Sequence, residues 1–439
     1  MRVTVAIALA LLTVPAYGPK LKPTNDSVLS RVDELLAPHV AMRDFSGTIL
    51  IARGEQVLVS RGYGFADFEK QIVPDDRTKY CIASITKTMT AAGIELLAAR
   101  GKLQLDDPVS KHLPDFANRG TITIRQLLEH SSGLKDYYTW PRYASDRADA
   151  ISQTAFLAEL QKQAVDFPPG TKSTYSNSGY FVLAAIIERV SGMSFGDYVA
   201  AKLFRPLSIN EAANGDAPAK GYDPGFPPSR VQPAATVSRS WLLGSGSVYA
   251  SARDLHRWLR ATRDETIVKI GALPYPYGWG KRSRFGRDLI EQDGRVPIGY
   301  ASYVALYPSD DLTIVVLSNI QSQVTQQIGI GLAAIALGQP YEIPKLRPST
   351  SDVPTGESAS FDAFAGRYEV APGFVLTVRS VPQGLLVAGP DGAFLPMDHE
   401  GGDRFFFRPL YVPIAFARDD AGRVGVLDWA GQFQAKRLD

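Results

Sequence analysis

The chain has 439 residues, a formal net charge of +2 and 45% hydrophobic residues, the profile of an ordinary soluble protein long enough for two or three domains. Its balanced charge leaves no basic footprint for nucleic acid. Five scattered histidines and one cysteine offer no ligand pair or cluster, so no metal is expected; without a phosphate loop or dinucleotide fingerprint, no cofactor is expected either.

Met1-Arg2, the apolar run Val3 to Val14 and Pro15-Ala16-Tyr17-Gly18 read as a signal peptide over residues 1–18. The run is too short for an ordinary membrane span, and no lipid-attachment cysteine follows it. The expected location is a bacterial periplasm or the exterior, with no stable membrane anchor after cleavage. A terminal helix and a hairpin through Gly47 to Ala52 and Val57 to Ser60 come next. Cys81 cannot form an internal disulfide and reads as a small buried residue.

Ser84-Ile85-Thr86-Lys87 opens an amphipathic stretch, Thr88 to Arg100, that stops before Gly101. A serine hydroxyl needs a neighbouring base to attack a carbonyl, and on a helix a residue three positions on shares its face. Lys87 can therefore reach Ser84, and desolvation would lower its pKa enough for it to act as base. If Ser84 opens the helix, its N–H is an unpaired first-turn donor suited to an oxyanion. The tetrad Ser132-Gly133-Leu134-Lys135 has the same spacing, but its internal glycine disfavours a helix. His130, in the turn before it, is expected to serve loop backbone.

Tyr175-Ser176-Asn177 adds a phenol that could exchange a proton with the serine and an amide that could hold Lys87 or a substrate amide oxygen. Gly192-Met193-Ser194-Phe195-Gly196 fits the nucleophile elbow of another hydrolase class, which needs a strand before its serine. The preceding residues Phe181 to Val190 have helical spacing instead, so Ser194 with Asp197 reads as a helix cap.

The run from Phe167 through Tyr175-Ser176-Asn177 to Gly192 resembles the serine β-lactamase and penicillin-binding-protein superfamily, in its class C β-lactamase, DD-peptidase and esterase branch. So do Gly101 to Pro108, Ile124 to Leu134 and Gly244 to Leu255, in family order over residues 28 to 335. The resemblance implies an α/β (α+β) fold, an antiparallel sheet flanked by helices with a helical subdomain, and an acyl-enzyme formed on Ser84 with Lys87 and Tyr175 as acid–base groups.

One motif departs from the pattern. The family carries Lys or His, any residue, then Gly on a strand that closes the site; the matching place here reads Gln292-Asp293-Gly294-Arg295. A cation there would bind a substrate carboxylate, whereas glutamine offers only neutral hydrogen bonds, about half as strong. Arg295 points away from the site if Gln292 and Gly294 face it, yet its backbone N–H can complete the oxyanion hole with that of Ser84. A formal Lys269-Ile270-Gly271 lies too early, ahead of Tyr277-Gly278-Trp279-Gly280.

The expected organisation is a catalytic domain over 19–345, a Pro- and Ser-rich linker over 346–360 and a small all-β domain over 361–439, barrel-like or sandwich-like from its short β-rich runs and resembling the lipocalin-like domain often appended to this family. The reading is a secreted serine hydrolase for an ester or amide, whether a β-lactam, a D-amino-acid peptide or a carboxylic ester. The altered third motif leaves a non-catalytic binding or regulatory protein on the same fold as the alternative. The expected partner is a small-molecule or peptide substrate.

Overall fold

The computed structural model describes residues 28–119, 121–209, 219–226, 230–267, 278–346, 361–371, 374–389 and 394–438. The expected signal peptide, nearly all of the expected linker and Lys269-Ile270-Gly271 lie outside these residues.

A six-stranded antiparallel sheet forms the first half of the architecture. Its strands are β1 (Gly47–Arg53), β2 (Gln56–Tyr63), β3 (Gly280–Arg284), β4 (Arg287–Val296), β5 (Tyr300–Tyr307) and β6 (Leu312–Ser318), in the spatial order β2-β1-β6-β5-β4-β3. β5 and β6 are buried at every position, as befits strands covered on both faces. On one face, helices α1 (Val28–Ala41) and, near the C-terminal end of this half, Val324–Ala336 pack over Ile49, Ile51, Tyr303 and Ile314. On the other, a helical region packs over Leu50, Val304, Leu306 and Val315. At its centre lie α2 (Thr86–Ala99) and α3 (Asn177–Ser191). Gly93 lets these two approach, since a Cβ there would sit 3.0 Å from Ile187 Cδ1.

The C-terminal part is a closed eight-stranded barrel with strands Gly366–Ala371, Phe374–Val381, Gly384–Ala388, Leu395–Gly401, Arg404–Phe407, Val412–Arg418, Val424–Trp429 and Phe433–Arg437. Neighbours in sequence pair, and Tyr368↔Arg437 and Glu369↔Lys436 close the ring. Tyr368, Leu376, Met397, Phe405, Phe416 and Leu427 share its packed interior. A short turn, Phe361–Phe364, is tied to the barrel by Arg437, which donates to the Ala363 and Ala365 carbonyls at 2.8 and 2.6 Å.

The helix Val324–Ala336 lies tight on β5. A Cβ on Gly329 would stand 2.1 Å from the Tyr303 ring, so Gly329→Ala must push the helix off the sheet. The expected result in urea unfolding is a loss of about 1–3 kcal/mol, the usual range for an overpacked core.

Candidate functional site

The chain leading to Ser84 is fastened before the helix begins. Cys81 pairs with Tyr249, the Ile82 N–H donates to the Val248 carbonyl at 3.0 Å, and the Val248 N–H donates to Thr86 Oγ1 at 3.2 Å. Ser84 does not open the α-helix itself. It is the middle residue of a 3-10 turn, Ala83–Ile85, after which α2 starts at Thr86. Ala83 has φ 49, a left-handed conformation that a non-glycine residue holds only under constraint.

Lys87 is fully buried and returns to Ser84 over one turn. Its Nζ lies 3.1 Å from Ser84 Oγ, 2.8 Å from Asn177 Oδ1 and 2.8 Å from the Ser245 carbonyl. Burial pushes its pKa down to about 7, opposed by the negative charges of Asp136 and Asp293. A neutral amine has two hydrogens and one lone pair. The two carbonyl oxygens only accept, so they take both hydrogens and leave the lone pair facing the serine hydroxyl.

Tyr175 reaches the same oxygen from outside, its hydroxyl 2.7 Å from Ser84 Oγ and its side chain 44% exposed. Lys87 Nζ sits over the Tyr175 ring, 4.8 Å from its centroid. Against that ring lies His130, with centroids 4.7 Å apart, and the His130 ring also contacts Tyr180 at 5.0 Å. His130 Nδ1 accepts from the Ser176 N–H at 3.1 Å. Burial, with Lys87 nearby, drives the His130 pKa down to about 3. This neutral histidine serves the backbone of the Tyr175 segment.

Asn177 is oriented by a residue that the sequence did not single out. Asp136 Oδ2 accepts from the Asn177 N–H at 2.6 Å and from Asn177 Nδ2 at 3.0 Å. A carboxylate only accepts, so the amide nitrogen must face Asp136 and the amide oxygen must face Lys87. Of the two roles foreseen for Asn177, the geometry provides the contact with Lys87. Asp136 was hidden because its partner lies 41 positions away; the one local signal is its cap on the Tyr138 N–H at 2.9 Å. Ser245 was missed as well, since it contributes its carbonyl rather than its side chain. Tyr137, beside Asp136, reaches the Ser245 hydroxyl at 3.4 Å and packs against Trp140 and Trp241.

The third motif lies on β4. Gln292 and Gly294 pair across the strand with Val304 and Ser302, and Val304 belongs to the core on the helical side. A Cβ on Gly294 would stand 2.7 Å from the Ser84 nitrogen and 2.8 Å from both Ala83 Cβ and Ser302 Oγ, so only glycine fits. Gly278 likewise has φ 79, and a Cβ there would meet the backbone of Lys87 and Thr88 within 3 Å. β3 pairs with β4 only as far as Gly280↔Glu291. The Glu291 carbonyl approaches within 3.4 Å of a Cβ on Gly280, so Glu291 turns its backbone groups toward β3. By the alternation of an antiparallel ladder, Arg295 turns its N–H to the same edge, beyond the last β3–β4 pair. The Arg295 guanidinium cannot replace the missing cation, because it donates to the Pro409 carbonyl of the barrel at 2.7 Å.

Ser194 stands apart from this assembly. It follows helix α3, not a strand, and its hydroxyl accepts from the Asp197 N–H at 3.1 Å. Ser132 is buried and accepts from the Leu134 N–H at 3.3 Å.

The family model described as Beta-lactamase matches residues 32–337. Penicillin-binding protein 4* of Bacillus subtilis is 28% identical over 87% of this chain and 92% of its own length. The octameric penicillin-binding protein homologue from Pyrococcus abyssi superposes with a TM-score of 0.63 at 23% identity, covering 93% of this chain and 99% of that one. The D-amino acid amidase from Ochrobactrum anthropi superposes with 0.61 at 20% identity, over 71% and 99%.

Asp136 favours the charged form of Lys87. Asp136→Asn keeps an acceptor for Asn177 but removes the charge, so the Lys87 pKa falls further. The acid limb of kcat/KM, which reports the free amine, should move to lower pH than in the wild type. A limb that moves up, or stays, would dissociate it from Lys87.

Proposed function

The chain belongs to the β-lactamase family, and from that premise we propose that it is an exported serine hydrolase that forms an acyl-enzyme on Ser84. The observation that carries the reading is the buried Lys87 amine, whose two hydrogens are taken by Asn177 and Ser245 and whose remaining position faces the Ser84 hydroxyl.

Ser84 Oγ attacks the carbonyl of an ester or amide and passes its proton to Lys87, with Tyr175 hydrogen-bonded to the same oxygen. The oxyanion that forms is met by the N–H groups of Ser84 and Arg295. Donors fixed in advance where negative charge develops often supply the largest single part of such a rate enhancement. Lys87 gives that proton to the leaving group, directly or by way of Tyr175, whose hydroxyl contacts the same serine oxygen, and water then hydrolyses the acyl-enzyme by the same route in reverse.

Gln292 governs the substrate class. It stands on the strand face shared with Gly294 and carries no charge, which favours neutral esters and amides over substrates held by a carboxylate. D-amino-acid amides fall within this class, as the names of two structural neighbours suggest. The altered motif also permits a binding protein without turnover, but the intact contacts among Ser84, Lys87, Tyr175 and Asn177 favour catalysis. The barrel's packed interior suits a supporting role better than that of a lipocalin-type ligand carrier.

A fluorophosphonate probe followed by intact mass tests the nucleophile. Labelling should vanish in Ser84→Ala and persist in Ser194→Ala; the reverse pattern would reject the assignment. Lys87→Ala and Tyr175→Phe should each lower kcat by on the order of a hundredfold or more, the usual scale for a positioned acid or base.

Gln292→Lys should shift the ratio of kcat/KM values from neutral activated esters towards carboxylate-bearing β-lactams by about 5- to 30-fold, the effect of turning a neutral hydrogen bond into a charge-assisted one. An unchanged ratio would place carboxylate recognition elsewhere.

A further inference from the structure

Gly294 is glycine because the Ser84 nitrogen leaves no room for a side chain. Glycine restricts its own backbone less than any other residue, so the orientation of the peptide between Gly294 and Arg295 depends on its surroundings. The ladder with β5 supplies one part, pairing Gly294 with Ser302 and Arg295 with Ala301. That peptide carries the N–H assigned to the oxyanion. Something besides its own covalent geometry must hold its orientation.

A second restraint comes from the barrel. Arg295 turns its side chain to the back of the sheet and donates from Nη1 to the Pro409 carbonyl at 2.7 Å. Pro409 lies in the turn between the barrel strands Arg404–Phe407 and Val412–Arg418, and this turn is itself fixed from several directions. The Pro409 carbonyl also accepts from the Gln323 N–H at 3.0 Å, and Ser322 Oγ donates to the Arg408 carbonyl at 2.9 Å. The Arg408 side chain is wholly buried, pairs with Asp398 at 2.9 Å and donates to the Gly225 carbonyl of the catalytic part. Tyr411 closes the turn with its hydroxyl 3.3 Å from His39 Nδ1 on α1.

We propose that the barrel turn Arg408 to Tyr411 is a positioning element of the oxyanion hole, acting through the Arg295 side chain on the peptide that joins Gly294 to Arg295. The proposal rests on Ser84 acylation with an oxyanion held by the Arg295 N–H. Arg295 then has two functions on one Cα: its backbone faces the reacting carbonyl and its guanidinium is anchored in the barrel. A displaced donor weakens binding of the transition state more than binding of the substrate, so the effect belongs in kcat rather than KM.

The test uses the full-length protein with an activated neutral ester and the fluorophosphonate probe. Arg295→Ala keeps the N–H and removes the anchor; kcat and the labelling rate should each fall about tenfold, less than the hundredfold or more expected when an oxyanion donor is deleted, while KM changes less than about twofold. Arg295→Lys should recover most of the loss. Pro409→Gly, which loosens the turn and leaves Arg295 in place, should act in the same direction, and the double variant Arg295→Ala with Pro409→Gly should be no slower than Arg295→Ala alone. Wild-type kcat in Arg295→Ala, a lowered melting temperature without a change in kcat, or multiplicative losses in the double variant would each overturn the proposal while Ser84 labelling stands. Labelling that survives Ser84→Ala would overturn the serine assignment and this proposal together.

Discussion

A lysine amine sealed from water can keep its proton only if the protein pays for it, and here the surroundings make the neutral form accessible near pH 7. The Lys87 site provides two carbonyl acceptors and one hydroxyl, with the Asp136 carboxylate reached only through Asn177. Much of the helical region serves this arrangement. α2 and α3 must cross closely enough for Lys87 and Asn177 to meet, which Gly93 permits, and the 244–246 segment must bring its carbonyl beneath the amine. Asp136 sits far enough back to orient Asn177 without forming an ion pair that would fix the lysine in its protonated state.

The second constraint is steric. The nucleophile's backbone nitrogen, Ala83 Cβ and Ser302 Oγ converge on the Cα of Gly294, so the turn bearing Ser84 and strand β4 are packed as closely as two backbones allow. The left-handed Ala83 belongs to the same contact. Strain in one residue and the absence of a side chain in another let the turn that carries Ser84 lie directly against the strand that carries Arg295.

What could be read from the sequence follows from the range of each interaction. The Ser84 and Lys87 spacing is local and periodic, and so are the β1–β2 hairpin and the end of α2 before Gly101. The capping role of Ser194 was visible for the same reason. Asp136 was not, because its value lies in a contact across the fold. The start of α2 was placed two residues early, since alanine gives no sign of the left-handed turn it adopts. In the barrel, the runs near 366–370, 375–378, 384–387, 403–407 and 414–417 were apparent from β-branched and aromatic residues. The strands Leu395–Gly401, Val424–Trp429 and Phe433–Arg437 were not among them; the first, with its proline, aspartate and histidine, lacks that signature, and closure becomes visible only through the pairing of Tyr368 and Glu369 with the last strand.

The placement of the tryptophans gives this molecule a built-in optical reporter. Of the five in the chain, Trp258 donates to Thr88 Oγ1, next to Lys87; Trp279 follows the glycine pressed against the Lys87 backbone; and Trp140 and Trp241 pack around Tyr137, which contacts the residue whose carbonyl holds the amine. Only Trp429 belongs to the barrel. Intrinsic emission is therefore weighted towards the surroundings of one ionisable nitrogen, and changes of charge or occupancy there can be followed in stopped-flow without attaching a dye.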